Sequence, residues 1–406
     1  MVLLLYFCTT KINLAIKNVI KIFDMKFSFF ISLLFSIYLY SLRAAHAATE
    51  LPLGFSDSFD GNAHKEAFVP KTTTGGATYT LTGNVEFFNL GQSTSLSSSC
   101  FSDSTGDLTF IGRGYDLSFR SIDAGANVTA VSVSGATQTL QFSGFSLLSF
   151  ILSPSVRVTT ARGAVKSTHA LVFQDNKDLV FVQNFSIEDG GAVNTKTLTL
   201  TGTQGQVLFL QNQATTGKKG GALYTSDAAT LTGNTGTLTF TANTAGSDGG
   251  ALSVAKNCTI TNNTSVVFSA NSVASGHGGA LCCDTEPLML SGNGTVKFEE
   301  NVATEKGGAI YAKQLTLSSG GPGGIFFVNN KVVGTTPLGG GIAIAPQGTV
   351  SLSADAGDIT FVGNTTATTG SSAITKRSAL DLGSTAKFTA LRAALKANRF
   401  SFTIPL

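Results

Sequence analysis

Apolar and polar residues alternate in short runs along this chain rather than falling into long helical stripes. Ala229-Thr230-Leu231-Thr232, Leu238-Thr239-Phe240-Thr241, Cys258-Thr259-Ile260-Thr261 and Val266-Val267-Phe268-Ser269 are representative. A period of two puts alternate side chains on opposite faces of a strand. Turn-forming residues separate the runs: Ser226-Asp227, Gly233-Asn234 and the stretch from Asn243 onward. The pattern predicts an all-β chain of many short strands.

The strands recur in phase with two motifs. A Phe-x-x-Asn tetrapeptide starts at Phe181, Phe209, Phe240, Phe268, Phe298, Phe327 and Phe361 and ends at Asn184, Asn212, Asn243, Asn271, Asn301, Asn330 and Asn364. The phenylalanines are 28, 31, 28, 30, 29 and 34 residues apart. Gly-Gly-Ala-aliphatic follows at Gly190-Gly191, Gly220-Gly221, Gly249-Gly250, Gly278-Gly279 and Gly307-Gly308, then decays to GGGI at Gly339 and SSAI at Ser371. A period near 29 residues makes each repeat one structural unit stacked on the next.

Three short strands and three corners fit into one such repeat: Ala222 to Tyr224, Ala229 to Thr232 and Leu238 to Thr241. That is one coil of a right-handed parallel β-helix, a solenoid with coils of about 29 residues. Phenylalanine, in phase with Leu238, points into the core. Asparagine suits a corner because it accepts turn and left-handed conformations, and asparagines of successive coils are placed to form a ladder. The glycines provide positive φ or close backbone approach. A propeller blade needs about 40 residues and four strands, and a sandwich would not keep corner residues in phase. The expected division is an upstream extension over 1–24, a leader over 25–47, irregular coils or a cap over 48–165, regular repeats over 166–375 and a tail over 376–406.

The leader reading rests on Met25-Lys26, the apolar run Phe27 to Tyr40, and the small-x-small cleavage signal Ala45-His46-Ala47. It identifies a secretory signal peptide cut after Ala47 and leaves no membrane span in the mature chain as given. Residues 1–24 are superfluous to it, as an early-assigned start codon would produce. Net charge is +3 for 406 residues, but residues 1–47 carry Lys11, Lys17, Lys21, Lys26 and Arg43 against Asp24. The rest is thus close to −1 and has no basic footprint for nucleic acid.

Export bears on the cysteines. Cys100, Cys258, Cys282 and Cys283 are too few for a disulfide scaffold, and their spacing matches no zinc pattern. On a strand Cys282 and Cys283 face opposite ways. An outward thiol suits an intermolecular disulfide, while buried small hydrophobes are the equal alternative. Histidines are sparse (His64, His169 and His277 after the leader), and there is no nucleophile elbow or phosphate loop. Parallel β-helices include enzymes acting on polysaccharides, which use paired carboxylates. Asp284 and Glu286 are the clearest same-face acidic pair in the regular repeats, whereas Glu299 and Glu300 face apart. No cofactor is expected and the chain reads as a non-enzyme.

Multiple Gly-Gly-Ala-aliphatic and Phe-x-x-Asn copies together resemble the chlamydial polymorphic outer membrane proteins. The resemblance runs from Gly75 to about Ala394 and includes the leader at Met25. It implies an autotransporter whose β-helical passenger sits at the cell outer membrane and meets a host cell-surface receptor of protein or glycan type. Other members of the family are further candidate partners. The resemblance also ties the motif residues to adhesion. The family carries a translocating β-barrel after its passenger, whereas this sequence ends at Leu406 with LKANRFSFTIPL drifting from the family pattern. The expectation is a truncated or frameshifted member, and its alternative fate is retention in the periplasm without function, or secretion.

Overall fold

Hydrogen bonding between coils, rather than within them, organises the chain. In the computed structural model the chain divides into two units, Met1–Thr49 and Glu50–Leu406. The structure describes residues 71–88, 99–120, 129–151, 163–369 and 375–382, with the strand pieces Thr49–Glu50, Ser58–Phe59, Lys387–Ala393 and Phe400–Thr403. The leader therefore lies outside the described residues.

The second unit is a parallel β-solenoid. One turn runs Leu223–Thr225, Ala229–Thr232, Thr237–Thr241 and Thr244–Gly246. The next runs Leu252–Val254, Cys258–Thr261, Ser265–Ser269 and Ser272–Val273, each strand parallel to its counterpart. The first two strands of each turn belong to one broad sheet, which bends between them. The third lies in a phenylalanine sheet, and the fourth in a narrow sheet of eight strands. This corrects the expected layout: two of the three anticipated strands share a sheet, and a further short strand lies between the asparagine and the glycines. Thr244–Gly246 has three residues, too short to show a period. In several turns the two halves of the broad sheet fuse, as in Val193–Thr201 and Leu281–Ser291.

Register in the phenylalanine sheet is continuous. Phe87 pairs with Phe119, and the column continues through Phe150, Phe181, Phe209, Phe240, Phe268, Phe298, Phe327 and Phe361. Ten phenylalanines thus bracket nine turns, all at most 2% exposed. Their rings are offset-stacked at 4.7–5.0 Å, for example 4.9 Å at 2° between Phe209 and Phe240. Such a pair contributes ~0.5–1.5 kcal/mol beyond its buried area. Three of the ten, Phe87, Phe119 and Phe150, precede the first Phe-x-x-Asn.

A second core column, on the broad sheet, starts aromatic with Tyr79, Phe110, Phe142 and Phe173 and turns aliphatic at Leu200, Leu231, Ile260, Leu290, Leu317 and Leu352. Beyond the regular repeats, Thr375–Arg377 folds back antiparallel on Thr365–Thr368. Within the expected tail, Lys387–Ala393 pairs with Thr349–Ala354, and Phe400–Thr403 with Ile359–Val362, placing Phe402 in register with Phe361.

Candidate functional site

The Phe-x-x-Asn corner is a hydrogen-bonded ladder. Asn243 Nδ2 donates to Asn271 Oδ1 at 2.9 Å and to the Phe209 carbonyl at 2.9 Å, while Asn243 Oδ1 accepts from Asn212 Nδ2 and the Asn212 amide, both at 2.9 Å. The same links join Asn184 to Asn212 and carry on through Asn301 and Asn330 to Asn364. All seven carboxamides are at most 5% exposed. An isolated buried carboxamide is costly, so a ladder that satisfies both donors and the acceptor is what permits it inside a solenoid.

The strained residue at this corner is not the asparagine. The residue before it takes left-handed φ in every copy: Gln183, Gln211, Ala242, Ala270, Glu300 and Asn329 at 54–57°, and Gly363 at 66°. The asparagine thus takes its corner place in the ladder while the residue before it supplies the left-handed conformation. Turning its side chain inward to the ladder requires the bend one residue earlier.

A second ladder runs at the corner between the broad and phenylalanine sheets. Asn234 Nδ2 donates to Asn263 Oδ1 at 2.8 Å and Asn263 Nδ2 to Asn293 Oδ1 at 3.0 Å, while the Thr203 amide donates to Asn234 Oδ1. Asn176 accepts from the Phe145 amide and donates to the Phe142 carbonyl. Its sequence signal is an apolar-x-x-Asn tetrapeptide, as in Phe173 to Asn176, Leu231 to Asn234, Ile260 to Asn263 and Leu290 to Asn293. Sequence reading misses it because its apolar residue varies and Thr203 interrupts it.

The two glycines divide the work. The first of each pair takes positive φ, as Gly220 does at 66°. The second abuts the next coil: a Cβ on Gly221 would overlap the Gly250 carbonyl oxygen and the Thr244 backbone. The following alanines are fully buried, and the Ala222 carbonyl accepts from both the Ala192 and Val193 amides. Gly190-Gly191, Gly249-Gly250, Gly278-Gly279 and Gly307-Gly308 repeat the seam. The motif residues are therefore brought together in columns, inside the molecule.

Beside this seam lie an ion pair and a histidine–carboxylate contact. Lys219 Nζ meets Asp248 Oδ2 at 3.0 Å, and His277 Nε2 meets Glu305 Oε2 at 3.6 Å. The His277 ring lies 4.4 Å from Tyr311, whose hydroxyl burial pushes up to about 12. Asp284 and Glu286 sit where the strand Leu281–Ser291 loses register between Cys283 and Pro287, so simple alternation does not describe them. No group of three or more His, Cys, Asp or Glu suited to a metal ion occurs among the described residues.

The four cysteines among the described residues are free and buried, which agrees with the reading of them as buried small hydrophobes and overturns an exposed thiol available for an intermolecular disulfide. Cys283 points inward and donates to the Lys256 carbonyl at 2.8 Å. Cys282 does face away from the core, but it is only 2% exposed, packed with Tyr311, Ala343 and Ala345. Burial pushes the thiols of Cys100 and Cys283 up to about 12, and those of Cys258 and Cys282 well above the ordinary range.

One buried carboxylate stands outside the repeats. Asp103 Oδ1 accepts from the Thr105 and Gly106 amides at 2.8 and 2.6 Å, and Oδ2 from Thr73 Oγ1 at 2.6 Å and the Gly76 amide at 3.2 Å. Burial alone would raise its pKa, but these hydrogen bonds together hold it below the usual carboxylate range.

Nine stacked turns, an asparagine ladder and a diglycine seam define a repeat-built parallel β-solenoid. The family model for the Chlamydia polymorphic membrane protein repeat matches residues 206–226, 237–255 and 295–313. The first match, for example, runs from the phenylalanine strand through the ladder and seam into the broad sheet. The chain is 48% identical over 360 residues to "Probable outer membrane protein pmp11" of Chlamydia pneumoniae, covering 88% of this chain and 38% of that protein. It is 48% identical over 358 residues to pmp10 of the same organism, covering 87% and 38%. Identity to PmpG of Chlamydia muridarum is 30% over 220 residues, covering 50% and 22%. The chain belongs to the chlamydial polymorphic membrane protein family and spans less than two fifths of the length of these relatives. No solved structure matches it.

Proposed function

We propose that this chain is the passenger segment of a bacterial surface autotransporter, exported through its leader at residues 25–47 and presenting the outer faces of the solenoid to a host cell-surface receptor. The observation that carries this reading is the inward placement of the repeat motifs. Asparagines and glycines form a scaffold, and the variable outward positions of every coil remain for recognition. The motif residues Phe181, Asn184, Gly190, Gly191 and their counterparts then support adhesion by holding register, without touching the receptor. Binding rather than catalysis is the role that such a scaffold supports.

The test is adhesion of beads coated with residues 48–406 to epithelial cells, with protease shaving of intact bacteria to locate the protein. Saturable binding and accessibility to protease are expected. Beads that bind no better than albumin-coated controls would sink the adhesin reading, and protection from protease in intact cells would relocate the protein to the periplasm.

A further inference from the structure

We propose that the corner formed by Asn176 and Thr203 is a binding site for one buried water molecule, which takes the place of an asparagine carbonyl oxygen in the second ladder.

Backbone register identifies the position. Along this ladder the residue after each corner residue donates its amide to the corner carbonyl one coil earlier. Gln204 donates to Asn176, Thr235 to Thr203, Thr264 to Asn234 and Gly294 to Asn263, at 2.8–3.0 Å. Thr203 therefore stands where an asparagine would, between Asn176 and Asn234.

An asparagine at such a corner receives two donors from the coil before. Asn263 Oδ1 accepts the Asn234 amide at 3.2 Å and Asn234 Nδ2 at 2.8 Å. Asn293 Oδ1 accepts the Asn263 amide and Nδ2, both at 3.0 Å. Thr203 keeps half of this pattern, since its own amide donates to Asn234 Oδ1 at 2.9 Å. It has no carboxamide oxygen to receive from Asn176.

The consequence falls on Asn176. Its Oδ1 accepts from the Phe145 amide, and one Nδ2 hydrogen goes to the Phe142 carbonyl. Its backbone amide and its other Nδ2 hydrogen meet no acceptor among the described residues. Thr203 Oγ1 is likewise buried without a hydrogen-bond partner. Both residues are 0% exposed.

Two donors and a hydroxyl are thus unpaired at one buried corner. Buried polar groups in native proteins are nearly always paired, and a buried water makes about three hydrogen bonds to groups of this kind. The threonine oxygen sits on Cβ, one bond short of where an asparagine Oδ1 reaches. A water oxygen beyond it accepts the Asn176 amide and Nδ2 hydrogens on its lone pairs and donates to Thr203 Oγ1. An ion does not suit the corner. Asp175 and Lys177 beside it are exposed and opposite in sign, and Asp178 Oδ1 accepts the Gln206 amide at 2.7 Å. A buried ion without a charged partner costs far more than a water. The water joins the coils before Thr203 to those after it, where the direct side-chain ladder stops.

Crystallography of the exported chain, residues 48–406, tests this. Density for one water is expected within hydrogen-bonding distance of the Asn176 amide nitrogen, Asn176 Nδ2 and Thr203 Oγ1. Thr203→Asn should expel the water and put its own Oδ1 in that position. In solution, Thr203→Val keeps the shape and removes the hydroxyl that holds the water. Hydrogen exchange at the Asn176 amide should then quicken about tenfold, as loss of one hydrogen bond predicts, and stay as slow as in the unaltered chain in Thr203→Asn. Should Thr203→Val fail to fold, the density in the unaltered chain and its displacement in Thr203→Asn decide. Absent density, a soaked bromide bound at the corner, water retained in Thr203→Asn, or slower exchange with a higher thermal midpoint in Thr203→Val would each overturn the proposal.

Discussion

Asn212 and Asn243 lie 31 residues apart in sequence, yet the Nδ2 of Asn212 donates to the Oδ1 of Asn243 at 2.9 Å in the buried interior. Asn243→Ala removes that acceptor, strands the Asn212 backbone amide and one of its two side-chain N–H groups, and takes a donor from the Phe209 carbonyl and from Asn271 Oδ1. Each stranded buried group costs ~1–3 kcal/mol. We expect a loss of about 3 kcal/mol or more in urea unfolding. Hydrogen exchange should show the loss concentrated in the coils on either side, because solenoid stability is a nearest-neighbour property.

Ala242 and Ala270 hold left-handed φ of 54° at the corner before the ladder residue. A side chain there costs on the order of 1 kcal/mol that glycine does not. Ala270→Gly is therefore expected to stabilise the fold by up to ~1 kcal/mol, less whatever greater freedom of the unfolded chain takes back. Ala270→Val should destabilise it. Thermal midpoints of the pair check the direction, and a fall with glycine would refute the strain argument.

Gly221 and Gly217 distinguish two reasons for glycine. Gly217 has φ +75° with nothing near a built Cβ, whereas Gly221 abuts the next coil. Gly217→Ala should cost ~1 kcal/mol. Gly221→Ala must push neighbouring coils apart and should abolish soluble, cooperative folding. Comparable yields and midpoints for the two variants would contradict the seam.

Cys100, Cys258, Cys282 and Cys283 are all buried, with their thiol pKa values raised by burial. The thiolate is the reactive form. Folded protein at pH 8 should release almost no chromophore from a disulfide reagent within minutes, and all four thiols should react in guanidinium chloride. Rapid labelling of even one thiol in folded protein would count against this packing.

Asp103 has a folded pKa below its unfolded value of about 3.9. A lowered carboxyl pKa stabilises above the unfolded value and loses that contribution as pH falls through the folded one. Stability measured by urea titration should therefore decline below about pH 4, and Asp103→Asn should flatten that decline. It should also weaken the first coils at neutral pH, because the amide nitrogen cannot accept from both Thr73 and Gly76. An unchanged acid limb would show that other carboxyls control it.

How far the chain can be read depends on how constant each position is. Phe240 and Asn243 are legible because every regular coil repeats them, and phase alone puts the phenylalanines in one column. Asn234 and Asn263 form a ladder as continuous as stretches of the first, but Leu231 and Ile260 precede them where phenylalanine marks the other. Thr244–Gly246 shows no period because three residues cannot. Alternation gives Cys282 its outward position, but its exposure depends on Tyr311 one coil away.

Local rules thus determined the strands, the 29-residue unit and the family, since alternation and corner residues act within a few positions. Only tertiary structure decided what each outward residue meets, because its neighbours come from coils some 30 residues distant. Stacking turned scattered Thr-x-Thr pairs into two uncharged columns along the broad sheet, brought Lys219 to Asp248, and buried four thiols, three in the core and Cys282 under Tyr311.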